Sequence, residues 1–251
     1  MKTTKNIDYT LSSCEWNKLD LYLPDGECRA LVLYLHGGGL VEGNRDLGVM
    51  THFAEDMTEC GIGVASAEYR LYPTAKYPDF IEDAAAAAAY AKLNLLPLAG
   101  CDKLFLVGTS AGGYLTQMLC FDEMWLGKHG ISTCEIAGFV HDAGQPTVHF
   151  NVLAERGIDS RRIIIDESAP LYHVDKADYP PMQIIVSDND MPGRLEQTEL
   201  LVSALGHFGY DMRKLTYTKT HGTHVWYVNA VDGDGKNELA KLILPFIVKN
   251  I

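Results

Sequence analysis

The sequence predicts an α/β domain built on a mostly parallel sheet. Short apolar runs alternate with helix-compatible segments along all 251 residues, without a linker or an internal repeat. Such alternation indicates βαβ units, in which helices cover a parallel sheet. Two glycine-containing motifs directly follow two of the runs, and ligands of such sheets bind outside the carboxyl ends of the strands. The length suits one domain, residues 1–251, with a well-buried core.

The predicted elements follow from the apolar runs and from the residues that interrupt them. Strands are predicted at 19–23, 30–35, 63–68, 103–107, 136–140, 182–186 and 213–218. Helices are predicted at 46–59, 80–93, 113–121, 195–208 and 237–248. The first helix is expected to end at Gly61, and the alanine run at 84–89 suits close packing on a sheet. The stretch 142–179 is long for a connection between two late strands, which is typical of a lid.

The first motif is Gly-x-Ser-x-Gly between a predicted strand and a predicted helix. Residues 106–114 read Leu-Val-Gly-Thr-Ser-Ala-Gly-Gly-Tyr. In this context the motif is typical of a nucleophile elbow, in which a strained turn exposes the serine oxygen and the flanking glycines avoid steric overlap. A glycine-rich turn of this kind is also found at phosphate sites. Ser110 is the predicted nucleophile.

The second motif is His-Gly-Gly-Gly at 36–39, directly after the apolar run at 31–35. Consecutive glycines leave backbone N–H groups unshielded, and such donors stabilise a developing oxyanion. In esterases and lipases a loop of this type adds its N–H groups to that of the residue after the nucleophile. Gly38, Gly39 and Ala111 are therefore the predicted oxyanion donors.

The chain resembles α/β-hydrolases of the HGGG esterase group, which includes hormone-sensitive-lipase-like carboxylesterases. The resemblance rests on the two motifs, on Leu19-Asp20-Leu21-Tyr22-Leu23-Pro24 and on Tyr69-Arg70-Leu71-Tyr72-Pro73. It implies the α/β-hydrolase fold, with 142–179 as a small lid insertion. Two positions depart from the pattern: Thr109 stands where the family often has Asp, and the acidic motif reads Asp188-Asn189-Asp190-Met191-Pro192.

The acid and the base are predicted from the chain order serine, acid, histidine that this fold uses. Asp190 is favoured as the acid from its distance beyond the strand at 182–186, with Asp188 as the alternative. His224 is favoured as the base because Val225-Trp226 follows it as in the family, with His221 as the alternative. The spacing of the two histidines alone is weak evidence for a metal pair, because the His-Glu-x-x-His context is missing.

These residues predict a serine carboxylic-ester hydrolase that acts on small esters, with acetyl or feruloyl groups on plant-derived carbohydrates as candidates. Leu40, Tyr72 and Trp226 are predicted to contact the substrate. The mechanism requires neither metal nor cofactor. Two alternatives stay open: an arylformamidase-like amide hydrolase with the same triad, and a non-catalytic small-molecule receptor on the same fold.

Composition restricts the partners and the location. The net charge of −12 disfavours nucleic acid and anionic membranes as partners, which leaves a small-molecule ester as the predicted one, and the oligomeric state is open. The first residues lack the apolar region of a signal peptide, so a cytoplasmic location is expected. The six cysteines are expected to be free thiols, at the surface for Cys14, Cys28 and Cys101 and in the core for Cys60 and Cys120.

Overall fold

One sheet forms the centre of the protein. The structure is a computed structural model that describes residues 1–11, 14–46 and 51–251. The strands in those residues are β1 (Lys2–Asp8), β2 (Lys18–Leu23), β3 (Ala30–Leu35), β4 (Ile62–Ala67), β5 (Leu104–Thr109), β6 (Gly138–Asp142), β7 (Met182–Asn189) and β8 (Leu215–Thr223). Their order in the sheet is β1-β2-β4-β3-β5-β6-β7-β8. In this described sheet β2 pairs antiparallel with both β1 and β4, and every pair from β4 to β8 is parallel, in line with the mostly parallel sheet that was predicted.

Helices cover both faces of this sheet. In the described residues they are α1 (Thr51–Glu59), α2 (Asp79–Tyr90), α3 (Leu96–Ala99), α4 (Ala111–Phe121), α5 (Met124–Gly127), α6 (Phe150–Glu155), α7 (Arg194–His207) and α8 (Glu238–Lys249). A π-helical turn, Ala91–Leu95, joins α2 to α3, so this helical stretch runs beyond the predicted end at 93. Of the helix predicted at 46–59, Asp46 is not helical and residues 47–50 lie outside the described residues.

The central strands are apolar throughout because both of their faces are buried. In β3, Leu31, Leu33 and Leu35 pack with one core layer, whereas Val32 and Tyr34 pack with the other. Successive side chains of a strand point to opposite faces, so one continuous apolar run supplies both layers. Helices α2 and α4 pack on the first face, and α1 and α8 pack on the second. The continuous runs that predicted these strands are thus a consequence of burial on two sides.

Three features differ from the sequence-based expectations. Strand β1 was not predicted because its residues, Lys-Thr-Thr-Lys-Asn-Ile-Asp, are polar and almost all exposed. Strand β6 includes Asp142, so the connection to β7 begins at Ala143. This connection contains the helix α6. Strand β8 extends to Thr223, five residues beyond its predicted end.

Two thiol predictions are wrong. Cys28 is buried rather than at the surface, because its sulfur packs towards Gly63 of β4. Cys60 is exposed rather than in the core, since it follows the last turn of α1. Cys120 is buried in α4 as expected, and Cys14 and Cys101 are half-buried.

Candidate active site

Ser110 lies in a strained turn between β5 and α4. Its φ of 55° and ψ of −109° are values that side-chain-bearing residues rarely adopt. A Cβ on Gly108 would overlap the carbonyl of Gly112, and a Cβ on Gly112 would overlap the carbonyl of Leu35. Both glycines of the motif are therefore required because backbone approaches them closely. For Gly108 that backbone belongs to the turn itself, and for Gly112 it belongs to the neighbouring strand β3.

Ser110, His224 and Asp190 form one continuous chain of hydrogen bonds. Ser110 Oγ lies 2.9 Å from His224 Nε2, and His224 Nδ1 lies 2.6 Å from Asp190 Oδ1. The Asp190 side chain is fully buried and that of His224 is 22% exposed. The three residues follow β5, β7 and β8, which place them at the same edge of the parallel sheet.

The electrostatics keep Asp190 ionised. Burial alone would raise the pKa of this carboxyl, but the hydrogen bond and the charge of His224 hold the pKa below its usual value. The backbone N–H of Met191 donates a further hydrogen bond of 2.7 Å to Asp190 Oδ1. An ionised carboxylate at this point orients the imidazole and stabilises it when it takes a proton.

The alternative residues form a second pair that does not reach Ser110. His221 Nδ1 lies 2.6 Å from Asp188 Oδ2, but the His221 side chain is 98% exposed. The hydrogen bond with Asp188 raises the pKa of His221. Each histidine therefore has its own aspartate. Within the described residues, no group of three His, Cys, Asp or Glu side chains is placed to hold a metal ion.

The glycine loop lies beside Ser110 because of the sheet register. Leu35 of β3 pairs with Gly108 of β5, so residues 36–39 and the serine turn leave the sheet side by side. A Cβ on Gly37 would be 3.3 Å from Ser110 Cβ. Gly38 and Gly39 have φ values of 112° and 63°, and Ala111 is the first residue of α4, where helix N–H groups have no partner inside the helix. Gly38 and Gly39 thus line the space in front of Ser110, and Ala111 directly follows Ser110 at the start of α4.

His36 and Asn151 hold this loop from two sides. His36 Nδ1 lies 2.6 Å from the carbonyl of Gly37, and its Nε2 lies 2.9 Å from Glu68 Oε1. The ring stacks on Tyr69 at 4.3 Å. Asn151 Nδ2 donates to the carbonyl of Gly39. His36 is therefore a structural support for the loop.

A pocket of about 620 Å³ opens in front of Ser110 and His224. The glycine loop forms one wall. Other walls come from side chains that the sequence did not single out: Tyr34, Val41, Phe150, Asn151, Met191 and Val225. Carboxylate and amide groups, including Glu42 and Asn44, line it as well. The pocket therefore combines an apolar surface beside Ser110 with hydrogen-bonding groups.

The three side chains predicted to contact a substrate lie outside this pocket. Leu40 is completely buried, with a φ of 68°. The Tyr72 hydroxyl donates a hydrogen bond to Glu155, and its ring packs on Phe80, behind the loop. Trp226 is 43% exposed and packs towards Gly222. Met191 and Val225 could have been identified as pocket residues from the sequence, because they directly follow Asp190 and His224. Phe150 and Asn151 belong to no motif.

A buried carboxylate under the site connects the serine turn to the histidine loop. Asp142 Oδ2 accepts a hydrogen bond of 2.8 Å from Thr109 Oγ1, and its Oδ1 accepts one from the Tyr227 hydroxyl. The Asp142 carbonyl accepts a 2.7 Å bond from the N–H of Ser110. Burial raises the pKa of Asp142 to about 6. Thr109, the residue that departs from the family pattern, is thus one of its donors.

Known proteins resemble this chain in sequence over part of its length. Residues 19–124 match the family model described as BD-FAE. A probable isoprenylcysteine alpha-carbonyl methylesterase of Oryza sativa subsp. japonica is 31% identical over 102 residues, which cover 39% of this chain and 24% of the relative. An acetyl esterase of Salmonella schwarzengrund is 34% identical over 109 residues, which cover 42% of this chain and 32% of the relative. The matches therefore span about a quarter to a third of the length of these curated relatives.

The likeness in structure extends over nearly the whole chain. A truncated carbohydrate esterase from gut microbiota superposes with a TM-score of 0.79 at 18% identity, covering 99% of this chain and 97% of that chain. At such identity the match concerns the fold. In the part of the chain that the structure describes, every helix is too short or too polar to cross a membrane.

Proposed function

We propose that this chain, which has the α/β-hydrolase fold that its motifs predict, hydrolyses small carboxylic esters through an acyl-enzyme. The observation that carries the proposal is the chain of hydrogen bonds from Ser110 through His224 to Asp190, at the wall of an open pocket. The matched relatives, a methylesterase and an acetyl esterase, act on esters by their names.

The geometry supports a two-step mechanism. Ser110 Oγ attacks the ester carbonyl while His224 Nε2 takes its proton, and Asp190 stabilises the imidazolium. The N–H groups of Gly38, Gly39 and Ala111 stabilise the oxyanion. His224 then protonates the leaving alcohol, and water activated by the same imidazole hydrolyses the acyl-enzyme.

The candidate substrates are acetyl or feruloyl esters of plant-derived carbohydrates. The carbohydrate esterase that shares the fold and the acetyl esterase relative support this class. Phe150 and Met191 offer an apolar surface for an acyl group, and Glu42 and Asn44 offer hydrogen bonds to sugar hydroxyls.

The remaining parts of the proposal concern organisation and location. We propose that residues 1–251 act as one unit and that the segment 142–179 covers the acyl side of the site, since Phe150 and Asn151 come from it. The unpaired thiols of all six cysteines fit the reducing cytoplasm.

The test combines covalent labelling with a substrate panel. A fluorophosphonate probe should label Ser110 in the wild type and in Ser132→Ala, an exposed control serine, but not in Ser110→Ala. A folded protein that takes no label, or that takes it elsewhere, contradicts the proposal. The panel contains p-nitrophenyl acetate, acetylated and feruloylated oligosaccharides and N-formylkynurenine. Preferred cleavage of N-formylkynurenine would identify an amide hydrolase instead.

A further inference from the structure

Two thiols face each other at the end of the sheet opposite Ser110. Cys28 Sγ and Cys101 Sγ are 3.9 Å apart, although 73 positions separate them in the chain. Cys28 precedes β3 by two residues, and Cys101 precedes β5 by three. Both lie three positions before the paired residues Leu31 and Leu104, so the two chain segments enter the sheet side by side. The N–H of Leu31 bonds to the carbonyl of Lys103 at 2.9 Å, which fixes this approach.

The surroundings of the pair favour reaction between the two sulfurs. Cys28 is 8% exposed and Cys101 is half-buried, so the pair lies just beneath the surface. Cys28 Sγ packs towards Gly63, where a Cβ would come within 3.2 Å of the sulfur. The hydrogen bond with Cys101 lowers the pKa of Cys28 to about 7 and raises that of Cys101. Cys28 is therefore the more acidic thiol of the pair, with a second thiol in contact.

The other cysteines lack this arrangement. Cys60 and Cys134 are exposed, and the Cys134 thiol lies 3.7 Å from the carbonyl of Asp178. Cys120 is buried in α4, where burial raises its pKa well above the usual value. Among the described residues, Cys28 and Cys101 alone form a thiol–thiol contact.

We propose that Cys28 and Cys101 are a redox modification site that forms an intramolecular disulfide when the protein meets a peroxide. The Cys28 thiolate attacks one peroxide oxygen, the O–O bond breaks, and the sulfur becomes a sulfenic acid while hydroxide leaves and takes up the proton that the thiol had released, which gives water. Cys101 sulfur then attacks the Cys28 sulfur and displaces the hydroxyl group as a second water. Two thiols and one hydrogen peroxide thus give one disulfide and two waters, so the peroxide is reduced and both sulfurs are oxidised.

The bond would tie together the two strands that carry the site. The opposite ends of β3 and β5 lead into the glycine loop and Ser110. A cross-link that closes a long loop restricts the unfolded chain more than the folded one, so it raises the thermal midpoint. The site itself lies at the far end of the sheet, and its hydrogen bonds are untouched.

The test is stoichiometric oxidation of the full chain by hydrogen peroxide. Free thiols should fall from six to four, and a peptide that joins Cys28 to Cys101 should appear. The thermal midpoint should rise by about 5–10 °C and return after dithiothreitol. Cys101→Ser and Cys28→Ala should each abolish the rise, whereas Cys60→Ser should keep it.

Other results overturn the proposal. These are a different disulfide, a sulfinic acid at Cys101 while Cys28 stays free, or a thermal midpoint that is unchanged or lower in the linked protein. Mapping of the wild type does not depend on the folding of any variant. None of these readouts uses ester hydrolysis, so they stand apart from the proposed activity.

Discussion

Ser110 shows how strongly single residues of this protein are fixed by their neighbours. Its turn exists because two glycines allow backbone to pass where a Cβ would overlap carbonyl groups. The flanking residues Thr109 and Ala111 have no such restriction, since their backbones end a strand and begin a helix. The motif is therefore a steric requirement of the turn before it is a chemical one.

Gly112→Ala should unfold the protein or abolish its activity. The new Cβ would overlap the Leu35 carbonyl, and overpacking against backbone costs about 1–3 kcal/mol or more. Thermal unfolding and hydrolysis of p-nitrophenyl acetate measure both effects. Gly127→Ala is the matched control, because nothing lies within 4 Å of its Cβ position. Equal midpoints for the two variants would contradict this account of the turn.

Asp190→Asn should lower kcat by about 10³–10⁴-fold, because the amide no longer stabilises the imidazolium or selects its tautomer. Asp188→Asn should change kcat less than about twofold, since its partner His221 does not reach Ser110. Steady-state kinetics on both variants decide between the two pairs. A large loss in Asp188→Asn would show that the surface pair is the functional one.

The pH dependence should have one acidic limb. The hydrogen bond with His224 holds the pKa of Asp190 below its usual value, which favours the ionised carboxylate. A histidine base must be neutral to accept a proton, so kcat/KM should fall towards acidic pH. A pH profile of kcat/KM between pH 4 and 9 tests this. A flat profile would contradict His224 as the base.

At the scale of elements, the site is assembled from strand ends that a buried network connects. Asp142 at the end of β6 accepts hydrogen bonds from Thr109 in β5 and from Tyr227 after β8. These contacts cross from the serine turn to the loop that carries His224. The position of His224 relative to Ser110 therefore depends on a carboxyl that contacts neither of their side chains.

Asp142→Asn should lower kcat with little change in KM and should alter the pH dependence of stability. Burial raises the pKa of Asp142 from 3.8 to about 6, so the folded state binds this proton more tightly than the unfolded state. The wild type should then lose stability as the pH rises through this window, by about 1–3 kcal/mol, and the variant should lack that contribution.

Urea unfolding at pH 4 and pH 7 measures this effect as the difference between wild type and variant. The free energy of unfolding of the wild type should exceed that of the variant by less at pH 7 than at pH 4. Asp102→Asn, at an exposed position before β5, is the control and should follow the wild type at both pH values. A difference that grows with pH would contradict the raised pKa.

Sequence patterns predicted the central elements and the motif residues, but not the edge strand or the pocket walls. Strands β3 and β5 are continuous apolar runs because they are buried on both faces. The polar strand β1 owes its conformation to pairing with β2, which its own residues do not encode. Phe150 and Asn151 reach the pocket through tertiary contacts of a segment without a motif.

At the scale of the whole molecule, charge and pocket size bear on which esters the proposed activity would accept. A net charge of −12 disfavours anionic lipid surfaces, and under the proposed activity the pocket of about 620 Å³ would hold both the acyl and the alcohol group. The segment 142–179 is interrupted by glycines and prolines and carries charges such as Asp159 and Arg161. These properties favour small dissolved esters over aggregated lipids.

Short acyl chains should be the preferred substrates. We expect kcat/KM for p-nitrophenyl esters to be highest between acetyl and butyryl and to fall with longer chains, because the pocket space is shared. Rates should not rise when a substrate passes its critical micelle concentration. A maximum at about eight carbons or more, or a rise at that concentration, would indicate a lipase.

The loops after β7 and β8 also supply an internal standard. His221–Asp188 and His224–Asp190 have the same 2.6 Å separation and the same atoms, and they differ in solvent access. Two imidazole titration curves recorded by NMR on one sample therefore share buffer, salt and temperature. Any difference between the two curves reports how burial and the contact with Ser110 change the protonation of an imidazole that is hydrogen-bonded to a carboxylate. The proton of the exposed His221–Asp188 pair should also exchange with water faster. A strongly deshielded proton resonance should therefore be seen for the His224–Asp190 pair beside Ser110 alone.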